Sequence, residues 1–246
     1  MNLRSLKDEV LEANLDLERY HLVTLTWGNA SGILRDEGLV VIKPSGVEYR
    51  NLRASRLIVV DLSGKIVEGK GRPSSDTPTH LELYKSFPSI GGVAHTHSEF
   101  ATSFAQACRE IPCYGTTHAD GFYGSVPVTR FLTKEEVENE YELNTGKLIV
   151  ERFKTLDPLA IPAVLIAGHA PFTWGINARD AVKNSLILER VAAMAFRSIA
   201  LAPELSSLPE YILKKHHLRK HGPAAYYGQP NKANPIVPSR SSRKRK

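Results

Sequence analysis

His95 and His97 stand one residue apart at the end of an apolar run, Gly91-Gly92-Val93-Ala94-His95-Thr96-His97. In a strand, residues i and i+2 share a face, so both imidazoles project to the same side and can grip one cation. Taken alone, His-x-His is a weak signal, because two histidines on a solvent-facing strand edge read identically and are the commoner case. Two other residues add weight. Asp76 closes Pro73-Ser74-Ser75-Asp76, and His169 ends a second apolar run, Ala163-Val164-Leu165-Ile166-Ala167-Gly168. Three histidines and a carboxylate form a donor set suited to a borderline divalent metal.

Three small polar clusters offer backbone N–H groups or hydroxyls beside flexible turns: Gly28-Asn29, Ser45-Gly46 and Ser74-Ser75, with Lys43 able to add charge. That is the chemistry that holds a phosphate. For any one cluster a plain turn is the better reading, since Gly, Asn, Ser and Pro populate turns anyway. Ser74-Ser75-Asp76-Thr77-Pro78 is more informative: proline two residues after an aspartate, followed by Leu81, Leu83, Tyr84 and Phe87, marks a helix start whose spare N–H groups favour an anion. Viewed alone, Asp76 reads as that helix's cap. His118 and Asp120, in Thr116-Thr117-His118-Ala119-Asp120-Gly121, read as loop residues available for chemistry, with an Asx-turn as the structural alternative for Asp120.

The elements that must position these residues follow from periodicity. Leu6, Val10, Leu11 and Leu17 recur at helical spacing across residues 3–18. Residues 22–27 and 39–43 read as strands, with a glycine-rich turn over 28–32 between them, and 57–61 with 65–68 read as a hairpin. Residues 98–107 read as a helix, 133–154 as a solvated helix, and Ala163 to Ala167 as a central strand buried on both faces. Asn177 is expected to cap a helix from Ala178 to about Ala202 whose buried stripe is Val182, Leu186, Ala193, Phe196 and Ala200. A last helix covers Leu208 to Lys220, and its basic end is explained by the helix dipole.

At 246 residues and 42% hydrophobic content the chain fits one α/β domain, here bounded at 1–229. The net charge of +6 lies in residues 230–246, which carry six of the 32 basic residues and none of the 26 acidic ones, so the body is formally neutral. That tail, with Pro230, Pro235 and Pro238 and no apolar periodicity, is expected to be disordered and is assigned no function; nucleic acid is not expected as a partner. Cys108 and Cys113 are too few for a disulfide framework, and no stretch has the make-up of a signal peptide or a membrane span. A soluble, cytoplasmic protein is expected, with no membrane partner.

With these residues laid out, the sequence resembles the class II aldolase/adducin family, on its pentulose-phosphate 4-epimerase branch. The segments that carry the likeness run in order from about residue 3 to 229. They are Trp27-Gly28-Asn29, Lys43-Pro44-Ser45-Gly46, Pro73 to His80, His95-Thr96-His97, Thr116 to Asp120, Lys220-His221-Gly222 and Tyr226-Tyr227-Gly228-Gln229. Around His169 the chain has Gly-His-Ala-Pro-Phe where the family pattern has Ser-His-Gly-Pro-Phe.

The resemblance implies a three-layer α/β/α domain with a central, mostly antiparallel sheet, and a homotetramer with active sites between subunits. It implies that His95, His97 and His169 bind Zn²⁺, with Asp76 nearby or as a further ligand and Mn²⁺ or Co²⁺ acceptable to the same donors. Gly28, Asn29, Ser45, Gly46, Ser74 and Ser75 would hold a pentulose phosphate, and Asp120 and Tyr227 would be the acid/base pair. The implied reaction inverts C4, converting L-ribulose 5-phosphate into D-xylulose 5-phosphate in L-arabinose catabolism. The C4 hydrogen is not acidic, because C4 is not adjacent to the C2 carbonyl, so the route is retro-aldol opening of C3–C4, rotation of the aldehyde and re-addition. A sugar-phosphate aldolase of the L-fuculose-phosphate type is the nearest alternative; Asp76, where aldolases carry a glutamate, speaks against it. A non-catalytic adducin-like scaffold is the other, opposed by the retention of all three histidines.

Overall fold

The computed structural model describes residues 1–227; Gly228-Gln229 of the last motif, the domain end at 229 and the tail 230–246 lie outside the described residues. Short aliphatic runs build one sheet of seven strands: β1 Asn29–Leu34, β2 Leu39–Ile42, β3 Ile58–Asp61, β4 Ile66–Glu68, β5 Gly92–His95, β6 Ala163–Leu165 and β7 Pro171–Gly175. Their spatial order is β4-β3-β2-β1-β5-β7-β6, and every neighbouring pair is antiparallel. Side chains alternate through the sheet. Val40, Ile42, Ile58, Val60 and Val93 enter one core, while Val41, Val59 and Ala94 enter the other. Because both faces are covered, these strands read as continuous apolar runs.

The helices are α1 Leu3–Arg19, α2 Thr77–Ser86, α3 Glu99–Gln106, α4 Thr116–Ala119, α5 Lys134–Glu138, α6 Tyr141–Arg152, α7 Ala178–Leu201 and α8 Glu210–His221. Leu81, Leu83 and Tyr84 of α2 and Ile149 of α6 close the first core, with Trp174 of β7 fully buried beneath them. Leu6, Val10, Ala13 and Leu17 of α1 and Ala178, Ala181 and Val182 of α7 close the second. Burial of each such Leu or Val contributes roughly 1.5–3 kcal/mol relative to leaving it exposed. The result is the expected α/β/α architecture, with the sheet antiparallel throughout. Asn177 caps α7 as expected, its Oδ1 accepting from Asp180 N at 2.8 Å, and the hairpin over 57–68 is β3–β4.

Several expectations fail for definable reasons. Residues 22–27 form no strand: β1 already has β2 and β5 on its two edges, and this segment turns through Leu25 at φ 55 instead. The supposed turn over 28–32 is largely strand. Asn29 to Gly32 lie in β1, and Gly32 is small because α1 crosses it, a Cβ there falling 2.8 Å from Leu6 Cδ1. β6 is buried but lies at the end of the sheet, its outer edge covered by residues 127–129 through Leu165 N to Pro127 O and Thr129 N to Leu165 O, both 2.9 Å. The single helix over 133–154 is two helices, broken where Glu140 takes φ 53. On α7 Val182 and Ala193 are buried as expected and Leu186 is partly buried, but Phe196 and Ala200 are exposed, and Leu188, Val191, Ala192 and Ala195 complete the inward face.

Candidate active site

His95 ends β5, and His97 follows two residues later. Their Nε2 atoms lie 3.1 Å apart. His169 comes from the turn between β6 and β7. Gly168 adopts φ 72 there, and Ile166 N donates to Ala170 O across the turn. Because β7 pairs with β5, placing His95 opposite Phe172, that turn brings His169 to the other two rings, at centroid distances of 5.0 and 5.1 Å. One nitrogen from each histidine can be chosen so that all three lie within 4.8 Å of one another.

The histidines are prepared as neutral ligands. Burial is the main cause that lowers all three, and His169 is pushed down to about 4. His95 Nδ1 lies 3.0 Å from Pro171 O, so it carries the proton and donates, leaving Nε2 with its lone pair toward His97. The His95 ring also stacks on Phe172 at 4.2 Å. Two imidazole nitrogens bound to one tetrahedral zinc at ordinary lengths lie about 3.3 Å apart, close to the 3.1 Å between His95 and His97, and with the third nitrogen within 4.8 Å the donor set could hold a divalent cation.

Asp76 faces the same cavity, at the N-cap position of α2, but its side chain caps nothing. Its Oδ2 accepts from Asn29 Nδ2 at 2.6 Å. Burial would raise this carboxyl, but His95, His80, Asn29 and His169 outweigh that and hold it below its ordinary value. Asp76 stands beside the three-nitrogen cluster and is not part of it.

The cavity of ≈ 590 Å³ is lined by all six expected substrate residues, Gly28, Asn29, Ser45, Gly46, Ser74 and Ser75, together with the four expected metal residues. Part of the supposed N–H cradle is already spent. The segment 43–45 runs beside 72–74, with Ser45 N bonded to Arg72 O and Ser74 N to Lys43 O, both at 2.9 Å. The hydroxyls of Ser45 and Ser75 remain for a ligand, and the space beside Gly46, at φ 70, is open. Asn29 lines the same cavity, and its Oδ1 is buried without a partner. Lys43 is 2% exposed, and burial pulls its ammonium down to about 8, partly offset by Asp76. Its Nζ has one backbone acceptor, Thr26 O at 3.3 Å, and a face of Tyr49. A nearly buried cation beside free hydroxyls suits an anionic group.

Two lining residues, Tyr141 and Glu142, carry no sequence signal. They reach the site only because the chain breaks at Glu140. Asp120 and Tyr227 are brought together, but not here. They line a separate recess of ≈ 830 Å³ with His217 and Lys220. His118 lies within α4 rather than in a loop, whereas Asp120 follows that helix in the turn that closes it, where Arg219 Nη2 at 2.8 Å, His216 at 3.2 Å and Lys220 at 3.3 Å surround its carboxylate. Burial would raise that carboxyl; these three partners hold it below the usual range. The basic end of α8 is therefore a carboxylate clamp as well as a dipole complement.

Three histidines able to hold one cation thus open onto a polar cavity with a buried lysine in its wall, carried by an antiparallel α/β sheet. The chain belongs to the class II aldolase and adducin family: the family model for the Class II Aldolase and Adducin N-terminal domain matches residues 8–196. Among solved structures, an L-fuculose 1-phosphate aldolase is 25% identical with a TM-score of 0.74, over 88% of this chain and 96% of that one. YgbL from Klebsiella pneumoniae, a candidate aldolase/epimerase/decarboxylase, is 26% identical with a TM-score of 0.70, over 88% and 100%. The L-fuculose-1-phosphate aldolase of Thermus thermophilus, at 22% identity and a TM-score of 0.65 over 82% and 99%, shares the fold. Among the described residues no helix is long and apolar enough to cross a membrane.

Proposed function

We propose that the protein is an L-ribulose-5-phosphate 4-epimerase, interconverting L-ribulose 5-phosphate and D-xylulose 5-phosphate in L-arabinose use. The observation that carries the reading is one cavity in which three neutral imidazoles adjoin a buried lysine and free serine hydroxyls. Zn²⁺ is the ion best matched to His95, His97 and His169, with Asp76 beside it. When bound, that cation supplies Lewis-acid stabilisation of the negative charge that develops as C3–C4 opens.

The chain's own groups do the rest. Lys43, Ser45, Gly46, Ser74 and Ser75 retain the phosphate, so the aldehyde fragment stays while its carbonyl turns over. Gly28 and Asn29, in the wall of the same cavity, border the sugar. Asp120 and Tyr227 move the C4 hydroxyl proton, one on each side of the turning carbonyl. Within one chain they line a different recess from the histidines, so this role requires them to serve the cavity of a neighbouring copy in a homotetramer. Free Cys108 and Cys113 fit a reducing cytoplasm.

The choice of epimerase over aldolase rests on Asp76 in place of a glutamate and on Asp120 with Tyr227. The aldolase reading is favoured by the 25% identity to an L-fuculose 1-phosphate aldolase. Incubating the purified, metal-loaded protein with L-ribulose 5-phosphate separates them: D-xylulose 5-phosphate supports the epimerase, whereas glycolaldehyde phosphate with free dihydroxyacetone means an aldolase. Mixing His97→Asn and Asp120→Asn subunits tests the shared site. Activity recovered only in the mixture supports it, and no recovery in mixed tetramers counts against it.

A further inference from the structure

Asp120 and Tyr227 are joined by one side chain. From α8, Arg219 donates to Asp120 through Nη2 to Oδ2 at 2.8 Å and Nε to Oδ1 at 3.2 Å, a two-point grip that sets the plane of the carboxylate. Its guanidinium carbon lies 4.5 Å from the centre of the Tyr227 ring. Its backbone carbonyl accepts the N–H groups of Tyr226 at 3.0 Å and Tyr227 at 3.1 Å, folding the segment after α8 back onto this residue. Lys220 also nears both partners, at 3.3 Å from Asp120 Oδ2 and 5.1 Å from the Tyr227 ring. An ammonium is a point charge, however, and fixes neither plane. A guanidinium does both at once, matching a carboxylate edge-on and an aromatic ring face-on.

We propose that Arg219 is a positioning residue that holds Asp120 and Tyr227 in a fixed mutual geometry, so that they work as one acid/base unit. The inference rests on the reading of those two residues as the proton-transfer pair. Within one chain Arg219 is not among the residues lining the cavity of the three histidines, so its loss is expected to act on turnover and to leave substrate and metal binding in place. The carboxylate is mostly enclosed, with Asp120 15% and Arg219 23% exposed as side chains. Without the fork it would be left to His216 and Lys220, which hold its charge but not its angle.

The test uses the full-length, metal-loaded protein, with L-ribulose 5-phosphate and D-xylulose 5-phosphate as substrates in the two directions. Arg219→Gln is expected to lower kcat by about 100-fold with KM within about threefold, and Arg219→Lys, which keeps charge but loses the fork, by about tenfold. Added to Asp120→Asn, Arg219→Gln should cost less than about threefold more, because residues acting as a unit are not additive. Turnover of Arg219→Gln within about twofold of wild type while Asp120→Asn is crippled overturns the proposal, as does a loss that multiplies in full onto Asp120→Asn. If the glutamine variant does not fold, Arg219→Lys decides: lowered kcat at unchanged KM and melting temperature supports the role, and wild-type kcat refutes it. If Asp120→Asn and Tyr227→Phe both turn over normally, the acid/base reading itself has failed, a result separate from the behaviour of Arg219.

Discussion

Asn29 Nδ2 donates to Asp76 Oδ2 at 2.6 Å, joining the first residue of β1 to the start of α2 beside the three histidines. A carboxylate only accepts, so the amide must present its nitrogen to Asp76, which leaves Oδ1 buried and without a protein partner. Asn29→Ala removes this contact. It should lower stability by about 1.5–3 kcal/mol, as expected for a hydrogen bond to a charged group, and reduce turnover as well. Urea unfolding and steady-state rates check this, and a variant matching wild type in both would dismiss the contact.

His97→Asn should abolish turnover while leaving the far-ultraviolet spectrum unchanged. His97 follows β5 and, like His169 but unlike His95, is only partly buried, so its loss leaves the core packing in place. Bound metal, measured by elemental analysis, should fall from about one ion per chain toward zero, since a site left with two imidazoles loses most of its affinity. Exhaustive chelation of the wild type should reproduce the effect, and added Zn²⁺ should reverse it. Undiminished activity in metal-free mutant protein would refute the site.

His118 is buried, donates from Nε2 to Gly124 O at 2.8 Å, and has Nδ1 without a partner. Burial lowers it from 6.5 to about 4. The unfolded chain therefore takes up this proton first as acid is added. The stability linked to His118 is complete above about pH 6.5 and is lost as pH falls toward 4, by about 3 kcal/mol in all. His118→Gln should flatten the pH dependence of unfolding across that window by about one proton. Equal slopes for variant and wild type would mean that the imidazole is not held neutral.

Gly32→Ala places a Cβ 2.8 Å from Leu6 Cδ1 and 3.0 Å from Val10 Cγ2, both enclosed in the second core. It should push α1 off β1 and cost about 1–3 kcal/mol by overpacking. A turn glycine would instead show its cost through backbone conformation. Denaturant titration with a compensating Leu6→Ala change separates the two: partial recovery identifies the close approach, and none would point to the backbone.

The chemistry was legible where it depends on neighbours in sequence. His-x-His, the aliphatic hairpin, the Asn177 cap and the Pro78 helix start are short-range signals, and period-2 alternation and capping operate within a few residues whatever the rest of the chain does. The same local reading misjudged Gly28 to Gly32 and residues 22–27. A glycine serves a turn or a close approach according to what packs against it, and an apolar run becomes a strand only if a sheet edge is free to receive it.

By itself the sequence determined the residue types that can bind a cation and a phosphate, and the helices and strands that carry them. Only the tertiary structure decided which of them meet. His169 reaches His95 because β7 lies against β5, a neighbour relation between strands far apart in the chain. Asn29 meets Asp76 through the placing of α2, and Asp120 is drawn to Arg219 on α8 rather than to the histidines. Such meetings depend on which strand edges and helix faces remain open once the others have paired, and that competition spans the whole chain at once.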